Sequence, residues 1–135
     1  MSEGWSVQEM WAADEASRAL GMELLESGEG RAVVRMTVRA DMVNGHGSAH
    51  GGLVASLADS AFAVACNSHG VITVASGFDV ALLRPAHAGD VLTATAVERT
   101  RAGRSGICDV TVTSADGSVV AEFRGRSRAL PGGAW

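Results

Sequence analysis

From Met42 to Phe78 the sequence runs 37 residues with one formally charged side chain, Asp59. It stands among Leu57, Ala58, Ala61 and Phe62, with no arginine within nineteen residues on either side and no lysine anywhere in the chain. An acid so placed has two readings. Either the neighbouring Ser56 and Ser60 satisfy it, or it is a carboxylate in an apolar site, where desolvation raises its pKa and makes it a usable general base or nucleophile. The pair Gly51-Gly52 opens the same apolar stretch. Free backbone N–H groups at a helix start, with the positive end of the helix dipole, suit an oxyanion. A base plus an oxyanion site is the minimum for acyl-group hydrolysis. Eight residues of helix, however, separate Gly51 from Asp59 by roughly 12 Å along the axis. If both act on one carbonyl, they come from two chains, with two helices side by side and antiparallel.

Other chemistries fare worse. Without lysine, Schiff-base, P-loop and lysine-base mechanisms are excluded. His46-x3-His50 and Cys66-x2-His69 superficially resemble a zinc set, but the pairs flank a helix of about sixteen residues, which parts them by about 20 Å. No metal is therefore expected. No Gly-x-Ser-x-Gly elbow supports a Ser-His-Asp triad. Two cysteines make no disulfide framework. The net charge of −4 argues against nucleic acid as a partner. No apolar run is long enough to span a membrane, and no secretory signal opens the chain; a cytoplasmic protein is the expectation. The charge is uneven. Residues 1–98 carry five arginines against twelve acids, and residues 99–135 six against three. Arg99, Arg101 and Arg104 cluster about the Gly103 turn, and Arg124, Arg126 and Arg128 share a strand face. Arginine forks near a turn fit the phosphates of a nucleotide-tailed acyl carrier, while solvated strand faces are the bland alternative.

These groups need elements to hold them. With 135 residues the chain makes one domain with one core, with a body over about 22–128. Ser6 with Glu9 three residues on marks a helix start, giving a helix over about 6–20 whose apolar stripe is Val7, Met10, Trp11 and Ala13 or Asp14. Residues 31–40 alternate, with Ala32, Val34, Met36, Val38 and Ala40 on one face, as in a half-buried strand. The glycine-rich loop 41–52 leads into an apolar helix from Leu53 to Ser68, buried nearly all round. Strands follow over Val71–Leu83, Val91–Arg101, Ile107–Ser114 and Val119–Arg128, with a hairpin at Asp116-Gly117. Short sequential turns favour an antiparallel sheet wrapped round one helix, an α+β arrangement. The pocket wall is expected from the central helix, the Val71–Leu83 strand and the N-terminal helix with Trp5 and Trp11. The tail 129–135 is expected to be flexible.

Asn44-Gly45-His46-Gly47-Ser48-Ala49-His50-Gly51-Gly52, then Ser56-Leu57-Ala58-Asp59-Ser60-Ala61-Phe62-Ala63 and Ala65-Cys66-Asn67-Ser68, resemble the PaaI group of hotdog-fold thioesterases, named for phenylacetic acid degradation. Leu83-Arg84-Pro85-Ala86, Ala88-Gly89-Asp90 and Phe123-Arg124-Gly125-Arg126-Ser127 also fit, so the resemblance runs from about Met22 to Arg128. It implies a curved antiparallel sheet around a long central helix and a dimer of dimers with the active site across the dimer interface. The implied reaction is hydrolysis of acyl-CoA, with phenylacetyl-CoA or a hydroxylated relative as substrate and no cofactor beyond the CoA of the substrate. By position, Asp59 is the base or nucleophile, and Gly51 supplies the N–H that polarises the carbonyl. Asn44 places the water or the carboxylate, His50 orders the turn, and Ser76 orients water. Arg101 and Arg104 are the candidates for CoA phosphates. The alternatives on the same fold are an enoyl-CoA hydratase and a non-catalytic acyl-CoA-binding module; the latter would not need Asp59.

Overall fold

The structure, a computed structural model, describes residues 6–131. Two short helices, α1 (Val7–Ala12) and α2 (Glu15–Ala19), precede strands β1 (Glu23–Gly28) and β2 (Arg31–Thr37). A single 3-10 turn (Ala40–Met42) and a loop lead to helix α3 (Gly51–Cys66). Strands β3 (Thr73–Leu82), β4 (Val91–Ala102), β5 (Ser105–Thr113) and β6 (Val119–Ala129) complete the chain. All six strands form one antiparallel sheet in the order β1-β2-β4-β5-β6-β3, curved around α3.

The helix is nearly all core. Leu57, Ala58, Ala61, Phe62, Val64 and Ala65 are almost wholly buried, and its alanines let the backbone lie close to the sheet. Facing it, β2 turns in Ala32, Val34 and Met36, β4 turns in Leu92, Ala94 and Ala96, and β5 turns in Cys108, Val110 and Val112. The period of two in the sequence is thus the sheet's inner face. Under Phe62, β6 carries Gly125, where an added Cβ would lie 2.8 Å from three ring atoms. Phe123, two residues earlier, meets the Phe62 ring at a centroid distance of 5.7 Å. Gly125→Ala is therefore expected to lower unfolding free energy by about 1–3 kcal/mol through overpacking, read from the midpoint of a urea titration at unchanged slope.

Several expectations shift. The N-terminal helix over 6–20 is broken in two at Asp14, which caps α2 by accepting from Ser17 N–H instead of joining an apolar stripe. Ser6 caps α1 as its spacing indicated, accepting from Glu9 N–H. Strand β1 was not legible: two glutamates and an exposed Leu25 suit an edge that faces solvent, and they carry no alternation. Ala40 is exposed because the chain has left the sheet and entered the 3-10 turn. The tail begins later than expected. Ala129 closes β6, and Leu130 N–H donates to Ile72 O; residues 132–135 lie outside the described residues, as does Trp5. No helix among the described residues is long and apolar enough to cross a membrane.

At the other edge, the ten-residue β3 lies beyond β6, and among the described residues no strand pairs with its outer side. Phe78, Leu82 and Leu83, on or just past this strand, are 42%, 53% and 58% exposed. A long edge strand with exposed apolar side chains is a template for another strand.

Candidate active site

The loop before α3 is shaped by one side chain. Asn44 Oδ1 accepts from His46 N–H at 2.9 Å and Ser48 N–H at 3.2 Å, while Asn44 N–H donates to Ser48 O at 2.7 Å. Asn can mimic a backbone turn in this way. His50 N–H donates to Met42 O, which ties the end of the loop back to the 3-10 turn. His50 then caps α3, its Nδ1 accepting from Gly52 N–H at 3.3 Å. The cap consumes the second glycine's donor and leaves the first. Among the described residues nothing accepts from Gly51 N–H. That donor sits at the positive end of α3, where an oxyanion is favoured. Asn44 and Gly51 line one cavity of about 270 Å3, closed on the far side by Leu82 of β3. Gly51 packs closely on that side chain: a Cβ there would lie 2.6 Å from Leu82 Cδ1, the movable end of the leucine.

Asp59 lies two turns further along α3, in a different cavity of about 200 Å3 between α3 and α2. Ala16, Leu20, Met22 and Ala63 give it an apolar wall. Neither neighbouring serine satisfies the carboxylate. Ser56 donates to Gly52 O at 2.8 Å, and Ser60 pairs with Ser17 at 2.7 Å. Burial, then the negative charge of Asp14, push the Asp59 carboxyl above the usual carboxylate range. A carboxyl raised by burial and a like charge is of the kind a general base can use.

The remaining candidates fall elsewhere. Ser76 sits at the bulge in β3, where its hydroxyl donates to Arg126 O at 3.1 Å; within the chain it reaches neither cavity. Arg101 and Arg104 are exposed about the β4–β5 turn and enter no side-chain hydrogen bond among the described residues. That turn stands at the opposite end of the sheet from Gly51, since Arg104 O accepts from Ala129 N–H while the start of β6 pairs near Leu83. Two other arginines, both on β6, are committed. Arg124 grips Asp109 with two bonds of 2.7 and 2.8 Å, and Arg126 meets Asp79 at 2.8 Å.

The histidine and cysteine pairs do stand at the two ends of α3, and His69 is bound to Glu98 at 2.7 Å. Burial pushes the Cys66 and Cys108 thiols up to about 12, so neither is a nucleophile near neutral pH. The pocket wall comes from the expected elements, divided between two cavities and without Trp11. Strand β3 lines the Gly51 cavity, whereas α2 lines that of Asp59, and Trp11 packs on the core instead. Larger hollows, of about 390 and 320 Å3, lie on the outer sheet face and beside α1, and hold none of these candidates. Asp14 and Ser17 escaped the sequence reading. The Asp14-x-x-Ser17 capping spacing was visible, but its meeting with α3 is tertiary.

Residues 46–121 match the family model described as Thioesterase superfamily. The chain is 47% identical over 123 residues to acyl-coenzyme A thioesterase PaaI of Escherichia coli (strain K12), covering 91% of this chain and 88% of that protein. The solved structure of the E. coli PaaI protein from the phenylacetic acid degradation operon superposes with a TM-score of 0.91 at 45% identity, covering 93% of this chain and 91% of that one. A point mutant of the phenylacetic acid degradation protein PaaI from Thermus thermophilus superposes with a TM-score of 0.83 at 42% identity, covering 87% and 100%.

Proposed function

The chain belongs to the thioesterase superfamily, and from that premise we propose that it hydrolyses acyl-CoA thioesters at a site built by two copies of itself, with phenylacetyl-CoA or a ring-hydroxylated relative as substrate. One observation carries the reading. A carboxylate without a partner and a backbone N–H without an acceptor, among the described residues, lie on the same helix in two separate cavities, about 12 Å apart along the axis. Each cavity is half of a hydrolytic site. Pairing β3 with its counterpart about a two-fold axis sets two α3 helices antiparallel and brings Asp59 of one toward Gly51 of the other. The exposed apolar edge of β3 supports that seam.

In this arrangement Gly51 N–H binds the thioester oxygen, and its bond strengthens as charge builds there. Asp59 acts either as base, taking a proton from the water that attacks the carbonyl carbon, or as nucleophile, forming a mixed anhydride that water then hydrolyses; the C–S bond breaks, and the CoA thiolate takes up a proton from that water to leave as the thiol. Asn44 orients the water, His50 holds the Gly51 turn in place, and Ser76 of β3 flanks the seam. The two-fold axis also carries the Arg101–Arg104 turn toward the Gly51 end of the other subunit, where it would meet CoA phosphates as arginine forks do. The apolar wall beside Asp59 favours an aryl group: a cavity of about 200 Å3 exceeds the roughly 150 Å3 that accommodates benzene.

The test is a thiol-release assay over aliphatic, benzoyl and phenylacetyl CoA esters. Release of free CoA is expected, with the highest kcat/KM for phenylacetyl-CoA or its hydroxylated form. Binding without thiol release, or hydration of crotonyl-CoA in its place, would overturn the reading.

A further inference from the structure

Three hydroxyls line the Asp59 cavity, those of Ser17, Ser56 and Ser60, and all three are turned away from Asp59. Ser56 bonds backwards to Gly52 O. The other two belong to a chain that starts at Asp14, at the junction of α1 and α2. Asp14 Oδ1 accepts from Ser17 N–H at 2.9 Å, which is the helix cap. Capping needs no more than that. Yet Asp14 Oδ2 also accepts from Ser17 Oγ at 2.7 Å, and Ser17 Oγ lies 2.7 Å from Ser60 Oγ. Ser17, the middle of this chain, is 3% exposed, while Asp14 and Ser60 at its ends are half-buried. The sense of the chain follows from chemistry. An ionised carboxylate only accepts, so Ser17 spends its one proton on Asp14. Ser17 must then accept from Ser60, which spends its own proton in turn.

We propose that Asp14 is a positioning residue for the thioester hydrolysis inferred above: by drawing the Ser17 and Ser60 protons toward itself it leaves the neighbouring Asp59 carboxylate without a donor and in the presence of a second negative charge. The inference rests on the reading of Asp59 as the reacting carboxylate. Its consequence is a stronger base. Hydrogen bonds to an ionised carboxylate would lower its pKa, and a nearby like charge raises it; a base whose pKa lies nearer the working pH is the more effective one. Among the described residues the titratable groups facing Asp59 are few. Asp14 comes from the α1–α2 junction, and further along α3 the Cys66 thiol is in electrostatic reach but neutral, pushed up to about 12 by burial. In the proposed dimer the Gly51 end of the second α3, which His50 caps, is brought toward this cavity. No arginine lines the cavity. The N-terminal helices thus serve the base as well as the core.

The test follows the Asp59 carboxyl itself by carbon NMR across pH, alongside the pH profile of kcat/KM, in the wild type, Asp14→Asn, Ser17→Ala and Glu15→Gln. Asn is as good a cap as Asp, so Asp14→Asn keeps α2 while removing the charge and the second acceptor. It is expected to move both the Asp59 midpoint and the acid limb of kcat/KM to lower pH, by equal amounts. Ser17→Ala, which frees the Ser60 proton, is expected to move them the same way. Glu15→Gln removes an exposed acid one residue away and is expected to move neither. An Asp59 midpoint unchanged in Asp14→Asn, or shifted as far by Glu15→Gln, overturns the proposal. The NMR titration needs no turnover. A midpoint that moves while the rate profile stays put would uphold Asp14 and overturn the role of Asp59.

Discussion

Asp59→Asn is expected to cut the turnover of acyl-CoA hydrolysis by about 10²–10⁴-fold, the usual cost of losing a positioned base, while the protein stays folded. The substitution keeps shape and removes only the ionisable oxygen. Its stability effect runs opposite to its effect on activity. The folded-state pKa of Asp59 is raised above that of an ordinary aspartate, chiefly by burial. Between the unfolded and folded values the native state holds the extra proton, so this group's contribution to stability falls as pH rises through that window. Above the folded pKa the native protein bears the whole cost of a partly buried charge. Asparagine never ionises, so Asp59→Asn is expected to equal or exceed the wild type in urea midpoint at neutral pH. The excess should vanish as pH is lowered below the usual Asp range. Thiol release, together with urea titrations at two pH values, checks both halves. A variant that is inactive and also destabilised at neutral pH would mark Asp59 as a structural acid.

The parts of this molecule that were legible in its sequence are those that local chemistry decides. Asp59 stood out because no arginine lies within nineteen residues of it and the chain has no lysine, and among the described residues no side chain hydrogen-bonds to it. The helical rise alone was enough to part the two half-sites, because α3 is continuous from Gly51 to Cys66. Cys108, Val110 and Val112 announced their inward face by alternation. What was not legible depends on partners distant in the chain. Arg124 and Arg126 read as a basic face fit for anions, but the register of β6 between β5 and β3 places Asp109 and Asp79 against them and neutralises that face. Asp14 read as part of a helix because its capping role depends on a break in that helix, and its approach to Asp59 spans 45 residues of sequence. In β1 only Leu24 packs on the core, too little for an alternation to show, so its pairing with β2 defines it.

Gly51→Pro is expected to lower kcat by about 10²–10³-fold, the cost of removing one oxyanion donor, with little change in the fold. Most backbone N–H groups cannot be deleted this way, and the geometry here permits it. Gly51 is the first residue of α3, the helical position at which proline is best tolerated. The residue before a proline must be extended, and His50 already is, at φ −59° and ψ 128°. No acceptor among the described residues loses a bond, since Gly51 N–H has none. The ring must displace Leu82 Cδ1, which is the far end of a flexible side chain. The variant therefore separates the donor from the scaffold, and its partner in the decisive experiment is Asp59→Asn. Each alone is nearly inactive. After the two are mixed in equal amounts and allowed to exchange subunits, half the dimers are mixed. In each mixed dimer one site takes Gly51 from the Asp59→Asn chain and Asp59 from the Gly51→Pro chain, and is whole; the other carries both defects. About a quarter of wild-type activity should return, as two-fold symmetry with a shared site requires. A site contained within one chain would recover nothing, whatever the mixing time, because no chain in the mixture holds both groups.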